Sequence, residues 1–390
     1  MDKLNKEIKN HLTDHILPFW INLRDDENGG FYGKVNYDLT IDKKAEKGGI
    51  AASRFLWSFS AAYRMTKNEE YLQYAHHLYK FLIDKVFDHE HQGLFWLVDY
   101  QGNPIEDQKH VYTQSFGVYA LSEYYRATNN EEALQYATEL FNLIETKGFD
   151  SVNNAYKEEF GREWNELPNE KLSENGIIAD VTTNTHLHVL EAYTNLYKAS
   201  PTDEVKKRLI NLIEIFYEKI YDKETKYLNV FFDKNWNSLM PLKSYGHDIE
   251  ASWLIDDALK ALGLEEEKYI SMVIDIAYNI AETAVVEDGS LVNEQHDDKI
   301  DFTRVWWVQA EAMVGFQNAY ERTKDEKFLK LIDGLWEYTK NNLVDPREGG
   351  EWFWSIEPDG KPTERAVGEP WKTPYHNSRF CLEMIERNEG

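Results

Sequence analysis

An internal repeat runs the length of this chain. Six short segments of one kind recur along its 390 residues: Gly30-Phe31-Tyr32-Gly33, Gly93-Leu94-Phe95-Trp96, Ala155-Tyr156-Lys157-Glu158, Tyr227-Leu228-Asn229-Val230, Gly289-Ser290-Leu291-Val292 and Gly350-Glu351-Trp352-Phe353. Their first residues lie 63, 62, 72, 62 and 61 apart. A period of that size marks stacked supersecondary units. Turn residues flank several of the segments, so each predicts a short strand or hairpin.

Between these segments runs a second series. Tyr63-Arg64-Met65-Thr66, Tyr125-Arg126-Ala127-Thr128, Tyr197-Lys198-Ala199-Ser200 and Tyr320-Glu321-Arg322-Thr323 each follow an apolar helical pattern, such as 55–63 or 116–124, and the divergent Ala261-Leu262-Gly263-Leu264 occupies the matching place. Each precedes a more amphipathic pattern, such as 71–81 or 328–336. In three of them Thr is followed three residues later by Glu, which predicts a capping box at the second helix. The unit therefore reads helix, turn, helix. Length alone suggests two or three domains, yet no Pro/Gly/Ser-rich linker divides the chain. We expect one all-α domain over residues 1–390, a closed ring of six helix pairs with apolar inner helices and charged outer ones. The last stretch, 376–385, is still of the inner kind. It is expected to pack on the N-terminal helix, 4–20, and so close the ring.

Net charge narrows the partners. Lys plus Arg is 43 against 69 for Asp plus Glu, a formal charge of −26. That argues against nucleic acid and against a polybasic membrane contact. No run of about 18 apolar residues occurs, and the N-terminus lacks an apolar signal core. Cys381 is the one cysteine, which fits a reducing compartment. The expectation is a cytoplasmic protein; the oligomeric state is left open, with a monomer favoured.

Aligning the inner helices puts Arg54, Phe116, His188, His247, Val308 and His376 at matching places near the helix starts. In a closed ring such positions converge on one mouth. Three of the six are histidines, from 12 in the chain. Two share a motif, His188-Val189-Leu190-Glu191-Ala192 and His247-Asp248-Ile249-Glu250-Ala251, in which Glu lies on the same helix face as its His. A lone histidine near a helix start is usually a capping or core residue; three in one layer are not. His11, His15, His76, His77, His89 and His296 read as ordinary surface or core residues. His186, two before His188, reads as packing or as support for it.

No Cys cluster, His-Glu-x-x-His motif or P-loop appears, so neither a metal nor a nucleotide cofactor is expected. Aromatic residues gather at the same mouth: Tyr112, the pair Trp306-Trp307, and Trp371. One of the Trp pair reads as core; Trp306 and Trp371 suit the apolar face of a sugar ring. Histidines near neutral pKa suit removal of a proton alpha to a carbonyl, giving an enediolate. Two of them on opposite walls can remove and return that proton with inversion, while Arg54 supplies positive charge for the enediolate oxygen. Hydrolysis of a glycosidic bond instead needs two opposed carboxyl groups, and this layer is rich in histidine.

Four longer motifs carry a family resemblance: Ser244-Tyr245-Gly246-His247-Asp248-Ile249-Glu250-Ala251-Ser252-Trp253-Leu254, Asn184-Thr185-His186-Leu187-His188-Val189-Leu190-Glu191, Val305-Trp306-Trp307-Val308-Gln309-Ala310-Glu311 and Trp371-Lys372-Thr373-Pro374-Tyr375-His376-Asn377. They resemble the cellobiose 2-epimerases, within the wider N-acylglucosamine 2-epimerase family, and the likeness runs from Ile16-Leu17-Pro18-Phe19-Trp20 to the C-terminus. The resemblance implies an (α/α)6 barrel and reversible C2 epimerisation of the reducing-end glucose of β-1,4-linked disaccharides, cellobiose to glucosyl-mannose and lactose to epilactose, without metal or nucleotide. It implies that His247 and His376 form the two-base pair, that His188 supports ring opening, and that Arg54 binds the oxyanion. It places Tyr112, Asn184, Glu250, Trp306 and Trp371 in the substrate pocket. Alternatives are an N-acylglucosamine 2-epimerase, an aldose–ketose isomerase working through the same enediol, and, from other classes, a glycoside hydrolase or a catalytically silent sugar-binding protein. The third unit is longer than the others. Its extra residues, about 165–180, are expected to cover the mouth and exclude water, or else to be a solvated acidic insertion.

Overall fold

The computed structural model describes residues 2–172 and 176–389. In chain order, α1 (Asp2–His11) and α2 (Leu17–Ile21) form an N-terminal outer arm, followed by α3 (Gly49–Thr66), α4 (Glu69–Phe81), α5 (Val111–Thr128), α6 (Glu131–Leu143), α7 (Thr183–Ala199), α8 (Asp203–Ile215), α9 (Tyr245–Leu262), α10 (Glu267–Thr283), α11 (Trp306–Thr323), α12 (Lys327–Tyr338) and α13 (Tyr375–Glu389). The odd-numbered helices from α3 to α13 pack each on the next, and α13 packs on both α3 and α1. The ring is closed, an (α/α)6 barrel, with the last inner helix seated on the N-terminal arm as expected.

Inner helices are buried nearly all round because their neighbours sit on both sides, so small residues set the spacing. In α3, Ala51, Ala52, Ser53, Ser58, Ser60, Ala61 and Ala62 are buried. In α11, a Cβ on Gly315 would lie 2.5 Å from Ile249 of α9, so only glycine permits that approach. Outer helices bury one stripe, as in α12, where Phe328, Ile332, Leu335 and Trp336 face inward.

The expected capping box is not what starts the outer helices. Thr66 and Thr128 end the inner helices, where their hydroxyls donate to the carbonyls of Ala62 and Tyr124. The caps are Asn68 and Asn130, which accept from the backbone N–H of Glu70 and Ala133. Asparagine's short carbonyl arm reaches the free N–H groups of the first turn, and a left-handed Lys67 or Asn129 between the helices sets the turn. Five outer arms close in a wider π turn that the residue pattern does not announce; Phe87 N–H donates to Leu82 O and Tyr221 N–H to Phe216 O.

The six repeated segments form the expected hairpins, one through a short strand at Ala155–Tyr156 and five through a single bridge. Each pairs with the chain leaving its outer helix: Arg24 with Phe31, Phe87 with Leu94, Phe149 with Tyr156, Tyr221 with Leu228, Val285 with Leu291, and Val344 with Trp352. The strand before an inner helix then pairs antiparallel with the next unit, as in Lys47–Gly48 with Leu97–Val98, Lys109–His110 with Glu159–Phe160, and Val181–Thr182 with Phe231–Phe232. Val35 and Gly368 make the closing pair. These interlocks sit at the N-terminal ends of the inner helices and form the wall of the mouth.

Candidate active site

A repeated polar residue anchors five of the six inner helices to the segment below; α3 carries Ala52 at the matching place. Gln114 accepts from Leu94 N–H and donates to Leu94 O. Gln309 does the same at Leu291. His186 accepts from Tyr156 N–H, Asp248 from Leu228 N–H, and Asn377 donates to Glu351. These contacts fix the true register of the helices. Counted from them, Phe116, His188, Glu250, Glu311 and Arg379 lie two residues on, with Arg54 at the matching place in α3. His247, Val308 and His376 lie one residue before. The expected single layer is therefore two layers one helical turn apart, because the connecting loops differ in length. The histidines still meet, since all six helix starts open on one mouth.

Arg54, Tyr112, Asn184, His188, His247, Glu250, Trp306, Trp371 and His376, every residue proposed from the sequence, line one cavity of about 580 Å³. A space of that size suits a disaccharide-scale ligand. His188 Nδ1 lies 2.9 Å from Glu191 Oε2, the pairing expected within its own motif. The second motif departs from that pattern. His247 Nδ1 lies 2.7 Å from Ser244 Oγ, and Glu250 turns away to Arg379. His376 Nδ1 lies 2.7 Å from Glu311 Oε1 of α11. Each imidazole thus has one nitrogen tethered, which leaves Nε2 for the cavity.

Beneath the histidines sits Arg379, fully buried. Its guanidinium pairs with Glu191, Glu250 and Glu311, the last at 2.7 Å, and reaches the Tyr375 hydroxyl. Trp253 Nε1 donates to the other oxygen of Glu311 at 3.0 Å. Glu250, Glu311 and His376 bring ligand-type atoms within 4.8 Å of one another, but the guanidinium already spans the two carboxylates. Arg54 also packs on Tyr375, its guanidinium 4.3 Å from the Phe116 ring centre and 4.8 Å from that of Tyr375. It donates to Tyr112 Oη at 3.0 Å and to Trp371 O at 3.2 Å, so its charge is held at one place on the cavity wall.

Burial sets the protonation of the site. It depresses His247 to about 3, with the nearby His188 adding to the effect. Burial, then Arg379 and Arg54, hold His376 well below its usual value. Both rings are neutral at pH 7 and available as bases. Burial raises Glu250 to about 7, Glu311 reinforcing it and Arg379 opposing. Burial works against ionisation of Glu191 too, but Arg379 and His188 draw it down to about 2.

One ring of the Trp pair, Trp306, belongs to the buried core as expected, and it also faces the cavity. Its partner Trp307 lines the cavity too. Trp307 lies 4.9 Å from the His247 ring and 5.5 Å from that of His376, centre to centre. Gly246 makes room for it, since a Cβ there would lie 2.4 Å from the indole. Trp306 lies tilted against Trp354 with its buried Nε1 unpartnered, and Trp371 is exposed at the rim. Of the segment expected to cover the mouth, residues 173–175 lie outside the described residues. Lys171 and Leu172 line the cavity, held in place as their backbone N–H groups donate to Glu159 and Asn169. Glu311, Arg379, Ser244 and Trp354 are among the site residues to which the sequence reading gives no role. Helix register was the signal: Glu311 and Arg379 occupy the place of Arg54 and His188.

The sequence profile of the N-acylglucosamine 2-epimerase family matches residues 30–379. The chain belongs to that family. Within it, the chain is 48% identical over 385 residues to the cellobiose 2-epimerase of Ruminococcus albus, covering 98% of each protein. It is 47% identical over 387 residues to that of Dictyoglomus turgidum, again 98% of each. The solved structure of cellobiose 2-epimerase from Bacillus thermoamylovorans B4167 superposes with a TM-score of 0.98 at 63% identity, covering 99% of this chain and 100% of that one. More distant barrels of this fold include an α-mannanase with a TM-score of 0.64 at 13% identity, a likeness of fold alone.

Proposed function

We propose that residues 1–390 act as one catalytic domain that epimerises C2 of the reducing-end glucose of β-1,4-linked disaccharides, reversibly and without metal or nucleotide. Cellobiose would give glucosyl-mannose and lactose would give epilactose. The observation that carries this reading is the pair His247 and His376: two neutral imidazoles, each tethered through Nδ1, both close to the Trp307 ring in one cavity. The high identity to cellobiose 2-epimerases over the whole chain supports the substrate class.

His188, backed by Glu191, moves the proton that opens the pyranose ring. One of His247 and His376 then takes the C2 proton on Nε2 and leaves an enediolate. The other returns a proton to the opposite face of C2. A C–H bond breaks and a C–H bond forms, so nothing is oxidised. Arg54 holds its charge against the enediolate oxygen, where a fixed donor counts most. Tyr112, Asn184 and Glu250 hold hydroxyls, and Trp306 and Trp371 face the sugar rings. The Arg379 guanidinium supplies the positive charge that these carboxylates would otherwise seek from a cation. The enzyme acts on a neutral sugar in the cytoplasm.

Incubation with cellobiose in deuterated water, followed by NMR, tests this. Mannose-type reducing ends carrying deuterium at C2 are expected. A ketose would mark reprotonation at C1, free glucose would mark hydrolysis, and an unchanged spectrum would mark binding without turnover.

A further inference from the structure

Arg379 touches none of the cavity, yet three of its partners lead there. Glu191 holds His188 Nδ1, Glu311 holds His376 Nδ1, and Glu250 lines the cavity. We propose that Arg379 is a positioning residue that sets the tautomer of two histidines at once, by keeping Glu191 and Glu311 ionised beneath them. This rests on the epimerase reading only in its kinetic consequence.

The donor set makes the argument. Glu311 Oε1 faces both the Arg379 guanidinium and His376 Nδ1, and Oε2 takes the Trp253 N–H. Arginine and indole donate only. An ionised Glu311 then accepts a third hydrogen bond, which requires the proton of neutral His376 to sit on Nδ1. Nε2 is left as a lone pair toward the cavity, the form that removes a proton. Glu191 repeats the arrangement with Arg379, Tyr375 and His188. A protonated carboxyl group would reverse it, donating to Nδ1 and moving the imidazole proton to Nε2, where the ring cannot act as a base.

Three acidic residues and one guanidinium share this buried volume, and burial alone pushes carboxylates toward the neutral acid. Glu311 is already raised by burial, with Arg379 opposing. The other titratable groups facing the cluster are Arg54 from α3, Tyr112 and Tyr119 from α5, His188 from α7, and Tyr375 and His376 from α13 itself. His247 stands apart. Its Nδ1 partner is the Ser244 hydroxyl, which can donate or accept, so its tautomer is free to change while those of His188 and His376 are set.

Two measurements decide the matter. In wild-type protein labelled with 15N-histidine, with signals assigned by His188→Asn and His376→Asn, both residues should show the Nδ1–H tautomer at pH 7. An Nε2–H tautomer at either would overturn the proposal, whether or not the protein turns over cellobiose. In kinetics, Arg379→Met should lose at least about 100-fold in kcat at pH 7, and the acid limb of its pH–rate profile should move up by one pH unit or more. Arg379→Lys should restore much of the rate and return the limb. A profile parallel to wild type, with a uniform loss at every pH, would reduce Arg379 to packing. If Arg379→Met fails to fold, the wild-type tautomers decide alone. A wild type with no action on cellobiose would sink the epimerase reading and leave the tautomer result standing.

Discussion

His376 and Glu311 stand 65 residues apart in the chain and meet at 2.7 Å, imidazole Nδ1 to carboxylate Oε1. The contact joins α13 to α11, so the barrel's closing helix brings its own base to a carboxylate on its neighbour. Glu311→Gln keeps an acceptor for Trp253 but removes the charge that orients and strengthens His376. We expect kcat to fall about 100-fold, as small misplacements of a reacting group do, while KM changes little. Initial rates on cellobiose, with circular dichroism to verify folding, check this.

Trp371 stands at the rim, 36% exposed, with its ring 6.3 Å from that of Tyr112. In the proposed mechanism it meets the sugar but not the reacting carbon. Trp371→Ala should therefore raise KM by about tenfold, equivalent to roughly 1.4 kcal/mol, and leave kcat within a few-fold. A loss confined to kcat would contradict its placement as a binding surface.

His186 carries a pH dependence of stability. Burial depresses it to about 4, against 6.5 for a free imidazole, although its bond to Thr182 O favours the charged form. The unfolded chain takes up this proton first, so the contribution is complete above pH 6.5 and is lost as pH falls toward 4. His186→Gln keeps an acceptor near Tyr156 N–H and removes the titration. Its stability deficit against wild type should shrink by about 2 kcal/mol between pH 8 and pH 5, read from urea denaturation at the two pH values. A constant deficit would contradict the buried neutral histidine.

Much of the architecture was legible because repetition leaves a sequence period. The hairpins at Phe31, Leu94, Tyr156, Leu228, Leu291 and Trp352 were visible from spacing, and so was the closure by α13. The site residues were legible because histidine and tryptophan are scarce and clustered. Register was harder. His188 and His247 share a His-x-x-Glu-Ala motif yet sit one helical turn apart, since loop lengths vary while helix packing does not. The same slip hid Glu311 and Arg379, whose place beside the histidines shows only once the anchors at Gln309 and Asn377 set them two residues inward. Thr66 and Thr128 looked like N-caps because Thr-x-x-Glu fits that motif. In the fold, Asn68 and Asn130 stand closer to the free N–H groups and take the role.

Chelation gives an independent check. Arg379 lies between Glu250 and Glu311 and leaves the carboxylates with a cation already bound. Dialysis against EDTA should leave the rate on cellobiose unchanged. Activity lost in EDTA and restored by a divalent ion would overturn the metal-free account.

The central claim is that His247 and His376 serve opposite faces of one carbon. It is tested by following deuterium exchange at C2 in His247→Asn and His376→Asn, each with cellobiose and with glucosyl-mannose in deuterated water. Each variant should lose net epimerisation yet still exchange C2 of one epimer, and the two variants should retain exchange with opposite epimers. Exchange of the same epimer by both, or full epimerisation by either, would contradict the two-base account.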